Sequence, residues 1–341
     1  MEKIRNDYFD NIKSVLITLV VIGHFLLPLE STRLKDGLVN LIYLFHMPMF
    51  IMVSGYFAKG MYVGKRFRWE RIGKLLWLYL LFQIISGMTE SLAAGQPWMA
   101  NINFLRESGA PWYLLAMIWW YLEVFLLARF RAWAVLMAVI VIGILSGGRH
   151  IGSFLVLSRT LSFGPFFWIG YYLTEDQVRN FRSWKGRWLM VVLALFLAVV
   201  TAVESNGALK ELFPIVYGMN YGRIGTLWSP ASALVRFCAY GAAGIMILGV
   251  MAVVPRQRRV WTCLGERSLQ IYILHRPIRD LMEAAGFYRA VTSRSRMTVV
   301  FVVAFSVALA ICLSAPRITK LFRYVQDAPE KMFRLIGRNR F

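Results

Sequence analysis

The run Ile12-Lys-Ser-Val-Leu-Ile-Thr-Leu-Val-Val-Ile-Gly-His-Phe-Leu-Leu-Pro-Leu29 decides what kind of chain this is. A short basic start precedes it, as in a secretory leader, but the run holds a histidine and lacks a small-residue cleavage site. A second apolar run follows almost at once, so the segment reads as a retained membrane helix. A bilayer core asks for about 20 mostly apolar helical residues per crossing. Working outward, further runs of that kind fall at roughly 38 to 58, 72 to 93, 111 to 128, 132 to 147, 158 to 173, 187 to 203, 231 to 254, 264 to 285 and 297 to 316. The fifth and sixth of the ten are the shortest and are joined through Gly147, Gly148 and Gly152.

Composition agrees with that reading. With 58% hydrophobic, 15% aromatic and 17% charged side chains, 341 residues have too little polar surface for two soluble domains. A net charge of +21 would suggest nucleic acid in a polar protein, but here the basic residues sit in short clusters between apolar runs, which excludes a DNA-binding module. Roughly 26 of the 39 basic residues fall on the side that holds the N-terminus and roughly 10 on the other. Both termini are therefore expected in the cytoplasm, which requires an even number of crossings. The expected fold is an all-α polytopic integral membrane protein of the cell membrane, with about ten transmembrane helices: a membrane domain over residues 1 to 316 and a basic cytoplasmic tail over 317 to 341. No connecting segment is long enough to be a domain. The longest, about Glu204 to Pro230, reads either as a lid or re-entrant segment or as an ordinary interfacial loop. Cys238, Cys263 and Cys312 are not spaced to build a disulfide framework.

Chemistry must then come from polar residues inside the bundle. Three of the four histidines, His24, His46 and His275, lie within apolar runs, and counting from the span ends puts all three near or just outside the midplane. One buried histidine is explained by an interhelical hydrogen bond; three at one depth point to a site. Lys13 and His24 are eleven steps apart, which returns to within about 20° of the same helix face with a rise of ~16 to 17 Å. A cation at the cytoplasmic mouth and an imidazole near the centre suit a long anionic ligand whose reactive end reaches the histidine. Asp10 is spaced to pair with Lys13.

Arg68, Arg71 and Lys74 recur every third residue in a basic stretch running into a helix, and so either hold phosphates or serve as topogenic and lipid-headgroup contacts. Trp112 and Tyr113, at the outer start of the fourth run, read either as a platform for a sugar ring or as part of the interfacial aromatic belt. Glu123 is expected to pair with a neighbouring cation. The zinc-peptidase, paired-cysteine, glycine-loop and serine-hydrolase motifs are absent from the sequence, and no metal is expected. His275 and Asp280 match a His-x4-Asp pattern, but they project about 140° apart on a helix.

Several blocks resemble the membrane-bound acyltransferase 3 family, and its fucose 4-O-acetylase-like branch in particular. They are Phe9-Asp-Asn-Ile-Lys13, Val20-Val-Ile-Gly-His24, Leu44-Phe-His-Met-Pro-Met-Phe50 and Val53-Ser-Gly-Tyr56, followed by Arg71-Ile-Gly-Lys74, Phe166-Phe-Trp-Ile-Gly-Tyr171 and Ser268-Leu-Gln-Ile-Tyr-Ile-Leu-His275. The blocks run in order from the first to the ninth span. The resemblance implies a ten-helix bundle that moves an acyl group, usually acetyl, from cytoplasmic acyl-coenzyme A to a hydroxyl of a glycan or glycolipid at the outer side. It makes Lys13 and His24 the key pair. Lysine stands where the family has arginine at positions 13 and 74, so bidentate phosphate binding is lost there.

The resulting expectation is an O-acetyltransferase using acetyl-CoA, with His24 as general base, His46 and His275 as orienting partners, Lys13, Arg68, Arg71 and Lys74 holding the donor, and Trp112 and Tyr113 facing the acceptor. A small-molecule transporter with a histidine-lined pathway is the alternative, although no repeated halves are visible. The sequence leaves open the acceptor's identity, acetyl against succinyl, and whether a histidine acyl-enzyme forms.

Overall fold

The computed structural model describes residues 6–105, 109–147, 154–203, 215, 218, 230–291 and 295–329. Ten helices fall on the ten apolar runs: α1 Asp7–Leu26, α2 Arg33–Ala58, α3 Trp69–Ala93, α4 Trp112–Leu127, α5 Ala132–Leu145, α6 Leu157–Tyr172, α8 Arg187–Val203, α9 Pro230–Val253, α11 Ser268–Ala284 and α13 Arg296–Leu313. Between and after them lie a hairpin of β1 Tyr62–Val63 and β2 Arg66–Phe67, and the short helices α7 Glu175–Ser183, α10 Thr262–Glu266, α12 Phe287–Val291 and α14 Pro316–Gln326. The 204 to 230 loop lies outside the described residues, apart from Ile215, Gly218 and the helix start at Pro230.

Among the described residues five helices, α1, α2, α3, α9 and α13, are long and apolar enough to cross a membrane, and α7 with α8 makes a pair bent by 86°. Local chemistry accounts for several ends. Asn6 caps α1 by accepting from the Tyr8 amide at 3.2 Å, and Thr174 and Gln177 close a capping box that starts α7. Gly64, at φ +60°, opens the two-residue hairpin turn, a conformation that costs glycine little. The ninth run is split: Arg267 leaves the helical region between α10 and α11 and its Nη1 donates to the Ser314 carbonyl.

The bundle has a centre and a rim. In α1 and α2, 72% of the most apolar stretch is buried, against 33% in α3, α9 and α13, whose outward faces expose leucine, valine and phenylalanine. Such a rim suits contact with lipid, and the protein is an all-α membrane protein.

Close helix approach depends on small residues, as expected where lipid removes the hydrophobic drive between helices. A Cβ on Gly55 of α2 would lie 1.9 Å from the Phe167 carbonyl oxygen of α6, and a Cβ on Gly170 would lie 1.9 Å from the Met52 oxygen. The two backbones therefore touch reciprocally. Gly265 of α10 meets α1 the same way, 1.8 Å from the Asp10 oxygen, and its amide donates to Ser14 Oγ at 2.7 Å. Asn11 adds bonds from Nδ2 to the Pro255 and Gln257 carbonyls at 2.8 and 2.9 Å. These contacts fix the start of α1, and with it Lys13, against the second half of the chain. On the far side, Arg236 of α9 is buried and donates to the Gly143 carbonyl at 3.0 Å and to Ser162 Oγ at 2.6 Å, tying α9 to α5 and α6.

Candidate active site

Two cavities flank the middle of α1. The lower one, toward the start of α1, has a volume of about 200 Å³ and is lined by Lys13, Phe50, Ser54, Phe57, Tyr113, Tyr121, Ser268 and Tyr272 among others. The upper one has about 270 Å³ and includes His24, Tyr43, His46, Trp112, Arg159, Tyr272 and Arg276 in its wall. Tyr272 borders both, so it forms part of the partition between them. Its ring meets that of Tyr113 at 5.5 Å; its hydroxyl donates to the Ala110 carbonyl, and Tyr113 shares a 2.5 Å hydrogen bond with Ser54. The helix stripe carrying Lys13 and His24 thus presents one residue to each cavity.

Lys13 Nζ sits 2.5 Å from Asp10 Oδ1, the pairing the sequence indicates, and 5.5 Å from the centre of the Phe57 ring. His24 and His46 stand in the wall of the upper cavity, and the buried His275 packs against His24 without lining it. His24 and His275 have ring centres 5.1 Å apart, and the Tyr43 ring lies 6.4 Å from His24 and 4.8 Å from His46. Their hydrogen bonds separate them by role. His46 Nδ1 lies 2.7 Å from the Ile42 carbonyl, and His275 Nδ1 lies 3.0 Å from that of Ile271. A carbonyl can only accept, so both Nδ1 atoms carry protons and both rings are held with a bare Nε2. The Nε2 of His275 is buried with no hydrogen-bond partner among the described residues. His24 differs: its Nδ1 is buried without such a bond. Of the three, His24 is the imidazole whose proton assignment the backbone leaves open.

Other expected site residues are distributed differently. Trp112 and Tyr113 do not form one platform: consecutive helical residues project about 100° apart, and Trp112 faces the upper cavity while Tyr113 faces the lower. Arg68 pairs with Glu70 at 3.0 Å and Lys74 with Asp327, beyond α14, at 3.4 Å. The guanidinium of Arg71 lies against Gly60 and acts electrostatically on Tyr121 in the lower cavity wall. None of the three lines the lower cavity, and only Arg71 acts on a residue of its wall. Asp280 is engaged by Arg276 and Arg279, both at 3.0 Å, so its spacing from His275 builds no catalytic pair. Glu123, expected to meet a cation, instead accepts from Trp168 Nε1 at 2.9 Å.

Sequence reading missed Arg159, Arg276 and the partition. Arg159 carries its guanidinium 5.1 Å above the Trp112 ring. The helix that holds it starts from a strained turn, with Leu155 at φ +47° and Val156 at φ +63°, a region unfavourable for a β-branched residue. The signal for both arginines was a cation in the outer half of an apolar run. Among the described residues no group of three or more histidine, cysteine or carboxylate side chains could hold a metal ion.

The helical membrane bundle thus holds a lysine in the wall of one cavity and two histidines in the wall of the next, with one tyrosine common to both. A match to the acyltransferase domain of the acyltransferase 3 family runs over residues 6–315, and the chain belongs to that family. Among its relatives is the nodulation protein NolL of Mesorhizobium japonicum, 23% identical over 356 residues, covering 96% of this chain and 91% of the relative. NolL of Sinorhizobium fredii is 31% identical over 195 residues, about half of each chain. No solved structure gives a significant match.

Proposed function

We propose that this membrane acyltransferase is an O-acetyltransferase of the cell membrane. It crosses ten times with both termini in the cytoplasm, uses acetyl-coenzyme A from that side, and acylates a hydroxyl of a carbohydrate or glycolipid at the outer side. The observation that carries this reading is that Lys13 and His24, on one face of α1, open into separate cavities that meet at Tyr272. The lower cavity is then the donor side. Lys13 attracts the coenzyme's phosphates, with Arg71 and Lys74 close by, and the pantetheine arm passes Tyr113 and Tyr272.

In the upper cavity the acceptor hydroxyl attacks the thioester carbonyl carbon while the free imidazole nitrogen of His24 takes its proton. The carbon–sulfur bond breaks, and the imidazolium returns the proton to the departing thiolate, giving ester and free coenzyme. A neutral imidazole suits that double duty near pH 7. His275 and His46, each fixed by a carbonyl one turn back, orient His24 and the acceptor. Trp112, packed between Arg159 and Phe163, forms part of the wall on the acceptor side.

The test is direct. Purified protein should be thermally stabilised by acetyl-CoA and not by unrelated nucleotides. Mass spectrometry of cell-surface glycans with and without the gene should reveal a loss of about 42 Da, the mass an acetyl group adds in acyl transfer. Absence of both effects would overturn the proposal. Membership of an acyltransferase family weighs against the transporter alternative.

A further inference from the structure

The helix α14 places a surface of mixed character at the edge of the bundle. It starts at Pro316, just after α13 ends at Leu313, and α13 is long and apolar enough to cross a membrane. Two connecting residues cannot carry α14 more than about 11 Å beyond the end of that helix. Its far end is tied to α3, another such helix: Trp77 Nε1 donates to the Val325 carbonyl at 3.1 Å, and Lys74 meets Asp327 at 3.4 Å. With both ends beside crossing helices, α14 runs along the membrane surface rather than away from it.

Its two faces differ. Ile318 and Phe322, one turn apart, pack against the core. On the other face Arg317, Lys320 and Arg323 recur every third residue and are exposed, with Leu321 and Tyr324 beside them at 67% and 65% exposure. Together with Asp327 these five residues line an open groove of about 510 Å³. Among the described residues no carboxylate pairs with any of the three cations, and Asp327 is engaged by Lys74. Water suits the cations but not the leucine, whereas the boundary between lipid headgroups and acyl chains suits both. Acidic headgroups supply the phosphate oxygens that guanidinium and ammonium groups bind.

We infer that α14 is a docking helix for acidic phospholipid: Arg317, Lys320 and Arg323 bind headgroup phosphates of the adjacent leaflet, while Leu321 and Tyr324 enter the headgroup boundary. None of these residues lines either cavity, so the inference stands apart from the acyl-transfer reading.

The test uses the full chain in nanodiscs of phosphatidylcholine, with and without phosphatidylglycerol, and follows backbone amide exchange in α14. Each cation near an acidic leaflet strengthens binding about fivefold, so three of them together give about a hundredfold. Phosphatidylglycerol should therefore slow α14 exchange by at least about tenfold over phosphatidylcholine alone. High salt should remove most of that protection. The triple variant Arg317→Gln/Lys320→Gln/Arg323→Gln should exchange equally in both discs, with α13 protected as in the parent. Leu321→Ser should keep the lipid dependence and lose part of the protection.

Equal α14 exchange of the parent in the two discs, a difference that salt leaves intact, or full phosphatidylglycerol protection in the triple variant overturns the inference. Equal protection by soluble glycerol 1-phosphate in phosphatidylcholine discs also overturns it, since the groove would then hold a free phosphate ester. An unchanged rate in Leu321→Ser overturns its apolar half. Should the triple variant lose α13 protection as well, Arg317→Gln alone is read, with about a fivefold loss expected and no loss overturning the assignment.

Discussion

Replacing Lys13 by methionine separates two roles that its position superimposes. Its ammonium lies 2.5 Å from Asp10, whose side chain is 4% exposed, whereas Lys13 is 21% exposed at the cavity wall. Removing one member of a buried pair strands the other charge and costs about 3 to 5 kcal/mol. Water reaching Lys13 through the cavity screens the pair, so Lys13→Met should destabilise by about 3 kcal/mol, at the low end of that range. The double variant Asp10→Asn/Lys13→Met leaves no charge behind and should return to within about 1 kcal/mol of the parent. Function should not return with it. A charge-assisted bond to a donor phosphate contributes about 1.5 to 3 kcal/mol, so the donor KM of the double variant should stay raised by about ten- to hundredfold. Thermal unfolding in detergent gives the first quantity and acetyl-CoA saturation of acyl transfer the second. A double variant with donor KM within twofold of the parent would refute donor contact by Lys13. A single variant destabilised by less than about 0.5 kcal/mol would refute the buried-pair accounting.

Three further outcomes follow from the site and the packing. His24→Ala should fold normally and lose at least the ~10² to 10⁴-fold associated with general-base catalysis, and retained transfer would remove His24 from the reaction. Arg71→Glu and Lys74→Glu should each raise the donor KM several-fold with little change in kcat; unaltered donor kinetics would confine these residues to topology and to the Asp327 contact. Gly55→Ala and Gly170→Ala each force a methyl to 1.9 Å from a carbonyl oxygen, and either should cost about 3 kcal/mol or prevent insertion as a stable bundle. Wild-type stability in both would show that α2 and α6 can part without loss.

The helices were legible because charged clusters bound each apolar run, and because hydropathy along one helix is a local property. The Lys13 and His24 stripe was legible for the same reason: a single helix period relates the two residues. What lay beyond was the meeting of segments far apart in sequence. His24 and His275 come together only because Asn11, Ser14 and Gly265 hold α1 against α10, whose continuation α11 carries His275. Trp112 and Tyr113 were read as neighbours, yet adjacency along a helix sends side chains to different surfaces. Arg159 lies at the start of one apolar run, and its approach to Trp112 depends on how α4 and α6 pack. The tail was read only as basic; α14, with Arg317, Lys320 and Arg323, and the contact of Asp327 with Lys74 arise from its folding back onto α3.

Tyr272 has a significance apart from any reaction. Where the two cavities approach, the Tyr272 ring stands in the wall of both, and its hydroxyl is fixed to Ala110 rather than left to swing. If each cavity fills with water from its own face of the membrane, the wall that Tyr272 helps form is also a barrier to ions. A wall thin enough for a small group to cross would let protons follow if the ring were removed. Sealing the bilayer against its own ion gradients is then a second constraint on this position, one that would keep a bulky ring there even in a chain that had lost its chemistry.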